Sequence, residues 1–215
     1  MTGELDTLLR EPAFSAVAWR ARDICGAGPV LKSGWPRLDA ALPGGGWPLG
    51  TLIELLLPRH GVGELTLLLP ALRALATAGE ELRWLTWIGP PHEPYAPALA
   101  QAGIRPERLL LVRVTGERER LWATEQALQS ASCSAVLAWL ESVPERALRR
   151  LKLAAGQGNA LGVLLRPLRE RAETSPATLR LALMPTADGL TIEVVKRRGG
   201  GRERIVGVLS GPGPG

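Results

Sequence analysis

The chain has 215 residues, a formal net charge of +5 and an apolar fraction of 46%, which suits one soluble α/β domain and excludes two independent ones. No apolar run reaches the roughly 18 residues that a membrane span needs, and the start Met-Thr-Gly-Glu-Leu-Asp lacks the regions of a signal peptide. The two cysteines, Cys25 and Cys133, match no metal-binding spacing. We therefore expect a cytoplasmic protein with reduced thiols, no metal and no membrane partner.

The charge is distributed unevenly along the chain. From Glu145 to the end there are 13 Lys or Arg residues against 6 Asp or Glu, a net charge of +7, so the rest of the chain is slightly acidic. A basic C-terminal third predicts either an acidic partner, such as nucleic acid or an acidic protein face, or a solvated surface.

The N-terminal residues 1–29 are predicted to form a helical arm. Leucine and aromatic residues recur there at near-helical spacing, with an interruption at Pro12. Such an arm either binds a partner or folds back on the core. The core domain is predicted to span residues 30–209, and the tail 210–215, which ends in Gly-Pro-Gly-Pro-Gly, is predicted to be disordered.

Strands and helices alternate through most of the predicted core. A short helix over 36–42 and three glycines precede strands at 51–57, 83–88, 108–113, 135–140 and 160–165, with helices at 64–78, 94–102, 117–131 and 144–156 between them. This alternation predicts a mostly parallel sheet with helices on both faces. A charged loop at 166–176 follows, and the stretches 178–184, 190–196 and 203–209 are predicted to add antiparallel strands to one edge.

The loop after the strand at 51–57 lies where a phosphate-binding loop is found in nucleotide-binding proteins. That motif requires G-x-x-x-x-G-K-[ST], in which backbone N–H groups and the lysine bind phosphates and the hydroxyl binds Mg²⁺. Here Pro58 replaces the first glycine, Gly61 and Gly63 are present, Glu64 occupies the lysine position and Leu65 the hydroxyl position.

Each of these replacements opposes nucleotide binding for its own reason. Pro58 has no backbone N–H, Glu64 adds a negative charge where a triphosphate would lie, and Leu65 cannot bind a metal ion. The segment is either a degenerate phosphate loop or a strand–loop–helix unrelated to nucleotides. In both cases we expect no bound cofactor and no catalytic residue.

Three segments resemble RecA in order and spacing. LKSGWPRLDAALPGGGWPLGTLIEL is similar to the start of the RecA core, EPYAPALAQAGIRPERLLLVRVTGERERLWATEQAL to the stretch after its second strand, and LTIEVVKRR to a late Val-Val-Lys strand. The resemblance covers residues 30–209. It implies an α/β fold with a RecA-like, mainly parallel central sheet flanked by helices and a small antiparallel extension at the C-terminal end.

The chain also departs from RecA at the catalytic positions. Glu141 occupies the Walker B position, and Gly89, Pro90 and Pro91 follow the strand where the catalytic glutamate is expected. No RecA-like catalytic set can be assembled, so the resemblance implies a degenerate ATPase that is not an enzyme.

The segments LPGGGWPLGTLIELL and GVGELTLLLPALRAL resemble the ImuA family of RecA-related accessory proteins. That resemblance implies a non-enzymatic scaffold of the SOS-induced complex for mutagenic translesion DNA synthesis after DNA damage. It implies as partners ImuB and an error-prone C-family DNA polymerase, with RecA filaments as a further target.

Basic residues near the C-terminus are the candidate contacts for a partner or for DNA phosphates. They are Lys196, Arg197, Arg198, Arg202 and Arg204. A basic stripe on the helix at 144–156, which includes Lys152, is either a solvated face or a DNA contact. We expect any DNA binding to be weak or indirect.

Two alternative functions remain open at this point. One is a cell-division inhibitor of the SulA type that binds FtsZ. The other is an active RecA/RadA-like DNA-dependent ATPase, against which the residues at 58–65 argue.

Overall fold

An eight-stranded sheet forms the centre of the structure, a computed structural model that describes residues 28–78, 83–187, 189–200 and 203–209. The strands are β1 (Val30–Leu31), β2 (Trp47–Pro48), β3 (Thr51–Leu57), β4 (Trp84–Ile88), β5 (Leu109–Val112), β6 (Cys133–Trp139), β7 (Leu161–Pro167), β8 (Leu179–Thr186), β9 (Gly189–Lys196) and β10 (Glu203–Ile205). The α-helices are α1 (Pro36–Ala41), α2 (Glu64–Thr77), α3 (Ala96–Gln101), α4 (Glu117–Gln129) and α5 (Glu145–Gly158). Short 3₁₀ turns cover Pro43–Gly45, Pro106–Arg108 and Leu168–Ala172.

The central sheet has the strand order β10-β9-β8-β3-β7-β6-β4-β5. The strands from β8 to β5 in this order are parallel to one another, whereas β9 and β10 are antiparallel. β1 and β2 pair separately as a small antiparallel ribbon. The structure is therefore a mixed sheet with mostly parallel strands.

The central strands are buried on both faces, which explains their composition. β3, β6 and β7 lie inside the sheet and read TLIELLL, CSAVLAW and LGVLLRP, almost without polar interruption. Parallel strands that are covered on both sides have this character, because every side chain packs against one layer or the other. A charged residue inside such a strand therefore needs a partner within the core.

Helices cover the two faces of the sheet with separate hydrophobic clusters. On one face Ile53 and Leu55 of β3 pack with Leu67 and Leu68 of α2, together with residues of α1 and α3. On the other face Leu52 packs with residues of α4 and α5. In α5 the buried side recurs every three or four residues, as an amphipathic helix requires; it comprises Leu148, Leu151, Ala154, Ala155 and Gly158.

The connection from β7 to β8 crosses the sheet without an α-helix in the residues that the structure describes. Both strands are parallel to β3, so residues 168–178 must return from one end of the sheet to the other. Ala177 packs in the same cluster as α4 and α5. This irregular segment is thus the third covering element of that face.

Two expectations from the sequence are wrong. The strand predicted at 178–184 is parallel to β3 and directly beside it, rather than part of an antiparallel edge. The RecA-like fold class is also wrong. The structure is a mixed sheet flanked by helices, and its relatives belong to another family. The RecA resemblance rested on three short segments with turn residues, a Leu-Leu strand and a Val-Val-Lys strand, and many α/β folds share local patterns of this kind.

The predictions for the two chain ends concern residues that the structure leaves out. The arm at 1–29 falls almost wholly in 1–27, and the tail is 210–215; both lie outside the described residues. No helix among the described residues is long and apolar enough to cross a membrane.

Candidate functional site

The loop at 58–63, which the sequence analysis compares with a phosphate-binding loop, joins β3 to α2 at the carboxyl end of the parallel strands. Gly61 and Gly63 have φ values of 77° and 107°, in the left-handed region that glycine tolerates. Gly63 is the N-cap of α2, and no side chain caps it. Pro58 is exposed and Leu65 is partly buried against the core.

Glu64 turns back into this loop. Its side chain is buried, and its Oε1 accepts a hydrogen bond of 2.7 Å from the backbone N–H of Gly61. In a phosphate loop such N–H groups bind the phosphates. Here the Glu64 side chain accepts a hydrogen bond from one of these N–H groups, so this N–H is not free to bind a phosphate.

Leu209 lies against the other side of the loop. A Cβ atom added at Gly63 would come within 2.8 Å of the Cδ1 atom of Leu209. The backbone N–H of Val208 donates to Leu190 of β9, which holds this segment in place. The loop therefore packs against a later part of the chain.

We expect Glu64→Ala to lower the free energy of unfolding by about 1 kcal/mol, comparable to the loss of a helix cap, because the Gly61 N–H loses its acceptor. Glu64→Gln keeps a side-chain oxygen and should stay closer to the wild type. Urea denaturation followed by circular dichroism measures both. Equal stability of the alanine variant and the wild type would show that the hydrogen bond contributes nothing.

Glu141, at the Walker B position, follows β6 and is separated from β3 by β7 in the sheet. Its carboxylate accepts a hydrogen bond of 3.1 Å from Arg169, and both side chains are exposed. Its backbone N–H donates to the carboxylate of Glu117. The structure thus places Glu141 in a surface ion pair. Among the described residues, no group of three or more His, Cys, Asp or Glu side chains could hold a metal ion.

The predicted basic contacts lie away from the loop after β3. Lys196 ends β9 and pairs with Arg180 near the start of β8, whereas the loop follows the end of β3. Through Arg180, Lys196 is in register with Glu54 at the middle of β3, so the loop begins about four residues, or roughly 13 Å, further along the strands at a rise of about 3.3 Å per residue. The structure therefore does not bring the basic residues and the loop together.

These basic residues also differ in their surroundings. Arg197 donates to the carbonyl of Ala41 and pairs with Glu203 at 2.8 Å, so it fastens the turn after β9 to α1. Lys196 and Arg198 line a cavity, and Arg204 is exposed on β10. The remaining candidate, Arg202, lies outside the described residues.

A buried ion-pair cluster was not anticipated from the sequence. Glu54 is fully buried at the middle of β3, and its carboxylate accepts hydrogen bonds from Arg166 at 3.2 Å and from Arg180 at 2.7 Å. The Ser175 hydroxyl donates to it at 2.7 Å. The sequence feature that could have indicated this cluster is the single acidic residue within the apolar strand TLIELLL. A charge inside such a strand needs buried partners.

The same arginines organise the crossing segment 168–178. Arg166 also pairs with Glu170 at 2.8 Å, and Arg180 donates to the backbone carbonyls of Glu170, Arg171 and Glu173. The cluster therefore fastens to the sheet a connection in which the structure describes one short 3₁₀ turn, Leu168–Ala172, and no α-helix. Its role is structural and lies away from the degenerate loop.

Comparison with known proteins decides the family. The family model described as "Cell division inhibitor SulA" matches residues 53–162, about half of the chain, from β3 to the start of β7. This chain belongs to the SulA family. The RecA-like fold class implied by the sequence resemblance is thereby replaced, and the ImuA family is a more distant relationship than the one found here.

Individual relatives carry two different names. "Cell division inhibitor SulA" of Edwardsiella piscicida is 37% identical over 103 residues, which are 48% of this chain and 60% of that protein. "Protein ImuA" of Caulobacter vibrioides is 34% identical over 158 residues, 69% of this chain and 62% of that protein. The crystal structure of SulA from Pseudomonas aeruginosa is 33% identical, with a TM-score of 0.45, and the match covers 54% of this chain and 97% of that one. The chain thus spans less than two thirds of the length of these SulA and ImuA relatives.

The matched SulA region contains a surface with an exposed tryptophan. Trp122 on α4 is 64% exposed and lines a groove of about 250 Å³ between α4 and α5. Leu121 and Leu151 form part of the groove, and Arg118 and Arg150 are at its charged side. Exposed aromatic side chains beside apolar grooves with charged rims are typical of protein–protein contact sites.

Proposed function

We propose that this chain is a non-enzymatic cell-division inhibitor of the SulA type that acts by binding FtsZ. The observation that carries the proposal is the SulA family match over residues 53–162, supported by the relative of that name from Edwardsiella piscicida. The proposal keeps the cytoplasmic location that the sequence predicts.

The loop after β3 supports a binding function rather than catalysis. Glu64 occupies it with a negative charge and accepts a hydrogen bond from the Gly61 N–H. A nucleotide phosphate would meet repulsion there. The proposed inhibitor therefore binds its partner without nucleotide chemistry of its own.

The groove beside Trp122 is the proposed contact for FtsZ. It lies within the matched region, and a large exposed aromatic ring loses much contact with water when a partner covers it. Truncation of a central tryptophan in an interface typically costs at least about 2 kcal/mol, which corresponds to roughly 30-fold in affinity.

The first experiment is calorimetric titration of the purified chain with purified FtsZ. We expect a saturable complex that Trp122→Ala weakens at least roughly tenfold, whereas Tyr95→Ala changes the affinity little. Tyr95 is a matched control because it is exposed at 72% and lies outside the groove. No complex with FtsZ would contradict the proposed function, while equal effects of both variants would contradict only the location of the contact.

A second candidate function is an accessory role in mutagenic translesion synthesis. The specific observation in its favour is that the match to "Protein ImuA" extends over 69% of this chain, against 48% for the SulA relative. In this case the partners are ImuB and an error-prone C-family DNA polymerase, with RecA as a further target. Titration with ImuB in place of FtsZ discriminates the two candidates, because each predicts a tight complex with one of these proteins.

A further inference from the structure

A cationic cleft opens where α5, the start of β8 and the end of β9 meet. It has a volume of about 410 Å³. Its polar lining comes from Lys152 of α5, Thr178 before β8, and Lys196, Arg197 and Arg198 at and after the end of β9. Two separate parts of the chain, α5 and the end of β9, thus place positive charge in this cleft.

The two lysines of the cleft have little negative charge bound to them. Lys152 makes no ion pair with any of the described residues, and Lys196 uses one of its three donors on the backbone carbonyl of Ser175 at 2.6 Å. The nearby carboxylate of Glu54 is already bound by Arg166 and Arg180. Partial burial lowers the pKa of Lys196, and the charges of Lys152 and Arg180 lower it further, while Glu54 acts in the opposite direction.

A neighbouring cavity extends the cleft towards the start of β3. A second cavity of about 230 Å³ shares Thr178 and Arg198 with the first and extends past Gly50 and Thr51. The hydroxyls of Thr51 and Thr178 are 2.5 Å apart. Together the two cavities form a track that is longer than a single phosphate group needs.

We propose that this cleft binds the phosphodiester backbone of nucleic acid, with Lys152, Lys196 and Arg198 contacting successive phosphates. Ammonium and guanidinium groups supply most of the affinity in such contacts, and hydroxyls add hydrogen bonds. Neither cavity has an aromatic residue among its lining, so the site lacks both a stacking platform for bases and the aromatic anchor of a protein interface. Binding is therefore independent of base sequence. This inference does not depend on the proposed partner FtsZ.

The test uses the full chain and fluorescence anisotropy with a labelled oligothymidylate and a duplex of the same length. We expect binding at low salt whose affinity falls as salt rises, with a slope of about −0.7 per phosphate contacted on the single strand. Lys152→Glu should weaken binding at least roughly tenfold and make the salt dependence shallower. Lys196→Gln, which removes one charge, should act in the same direction, with thermal melting as the check on folding.

Arg59→Glu is the matched control, because it makes the same charge reversal on an exposed residue outside the cleft, in the loop after β3. The variants are compared at 0.1 M salt, where the Debye length of about 10 Å is shorter than the roughly 13 Å along β3 between the level of Lys196 and this loop. Absence of binding to either nucleic acid at low salt overturns the proposal, as does an equal loss with Arg59→Glu. Displacement of the oligonucleotide by inorganic phosphate at an equal phosphate concentration overturns the polymeric ligand and assigns the cleft to small phosphates.

Discussion

Replacement of Glu54 by glutamine is expected to destabilise the protein by about 3–5 kcal/mol, the usual cost of removing one partner from a buried ion pair. Glutamine has nearly the same shape but no charge. The buried guanidinium groups of Arg166 and Arg180 would then lack their shared counter-ion. For a chain of this length the melting temperature should fall by roughly 2–4 °C per kcal/mol.

The control for this prediction is Glu193→Gln. Glu193 pairs with Arg171 on the same face of the sheet, but both side chains are partly exposed to water, at 28% and 42% respectively. Surface pairs of this kind contribute at most about 1 kcal/mol. Guanidinium denaturation of the three proteins measures the difference, and a Glu54→Gln variant as stable as the Glu193→Gln variant would refute the structural role of the cluster.

Gly158→Ala is expected to cost about 3 kcal/mol, at the upper end of typical overpacking effects. A Cβ atom at this position would lie 2.0 Å from the backbone carbonyl oxygen of Leu128. Because the obstacle is backbone, α5 and α4 would have to move apart. The carbonyl of Gly158 also accepts a hydrogen bond of 3.0 Å from Arg83, which such a movement would disturb.

Gly156→Ala provides a matched control on the same helix. The nearest atom to a new Cβ there is the carbonyl oxygen of Gly50 at 3.7 Å, an ordinary contact. Alanine is favoured over glycine inside helices by about 0.5–1 kcal/mol, so this variant should be slightly stabilised. Urea denaturation that gave the same free energy change for both variants would show that the close approach of α5 to Leu128 is not rigid.

Much of the architecture could be predicted from the sequence because it depends on local patterns. The apolar runs at 51–57 and 135–140 correspond to β3 and β6, and the capping position Gly63 precedes α2. Burial on both faces requires such runs in parallel strands. The sequence also shows Glu64 at the position that a lysine has in the phosphate-loop motif, and the structure adds that its carboxylate accepts a hydrogen bond from Gly61.

The family assignment shows where motif resemblance was insufficient. Short segments pointed to ImuA and to a RecA-like fold, whereas the family match over residues 53–162 is to SulA. Turn-forming glycines and prolines specify local conformation and are shared by many folds. They do not specify which strands become neighbours.

By itself the sequence determined the alternation of strands and helices, the mostly parallel sheet and the replacement of the nucleotide-binding residues, since each depends on periodicity or on one short segment. Only the tertiary structure decided that β8 lies beside β3 and that Glu54 contacts arginines 112 and 126 residues later in the chain. It also decided that the basic cleft and the loop after β3 lie apart. These features arise from contacts between distant segments. Local sequence patterns indicate which residues are buried. Which distant residues they contact depends on how the whole sheet assembles.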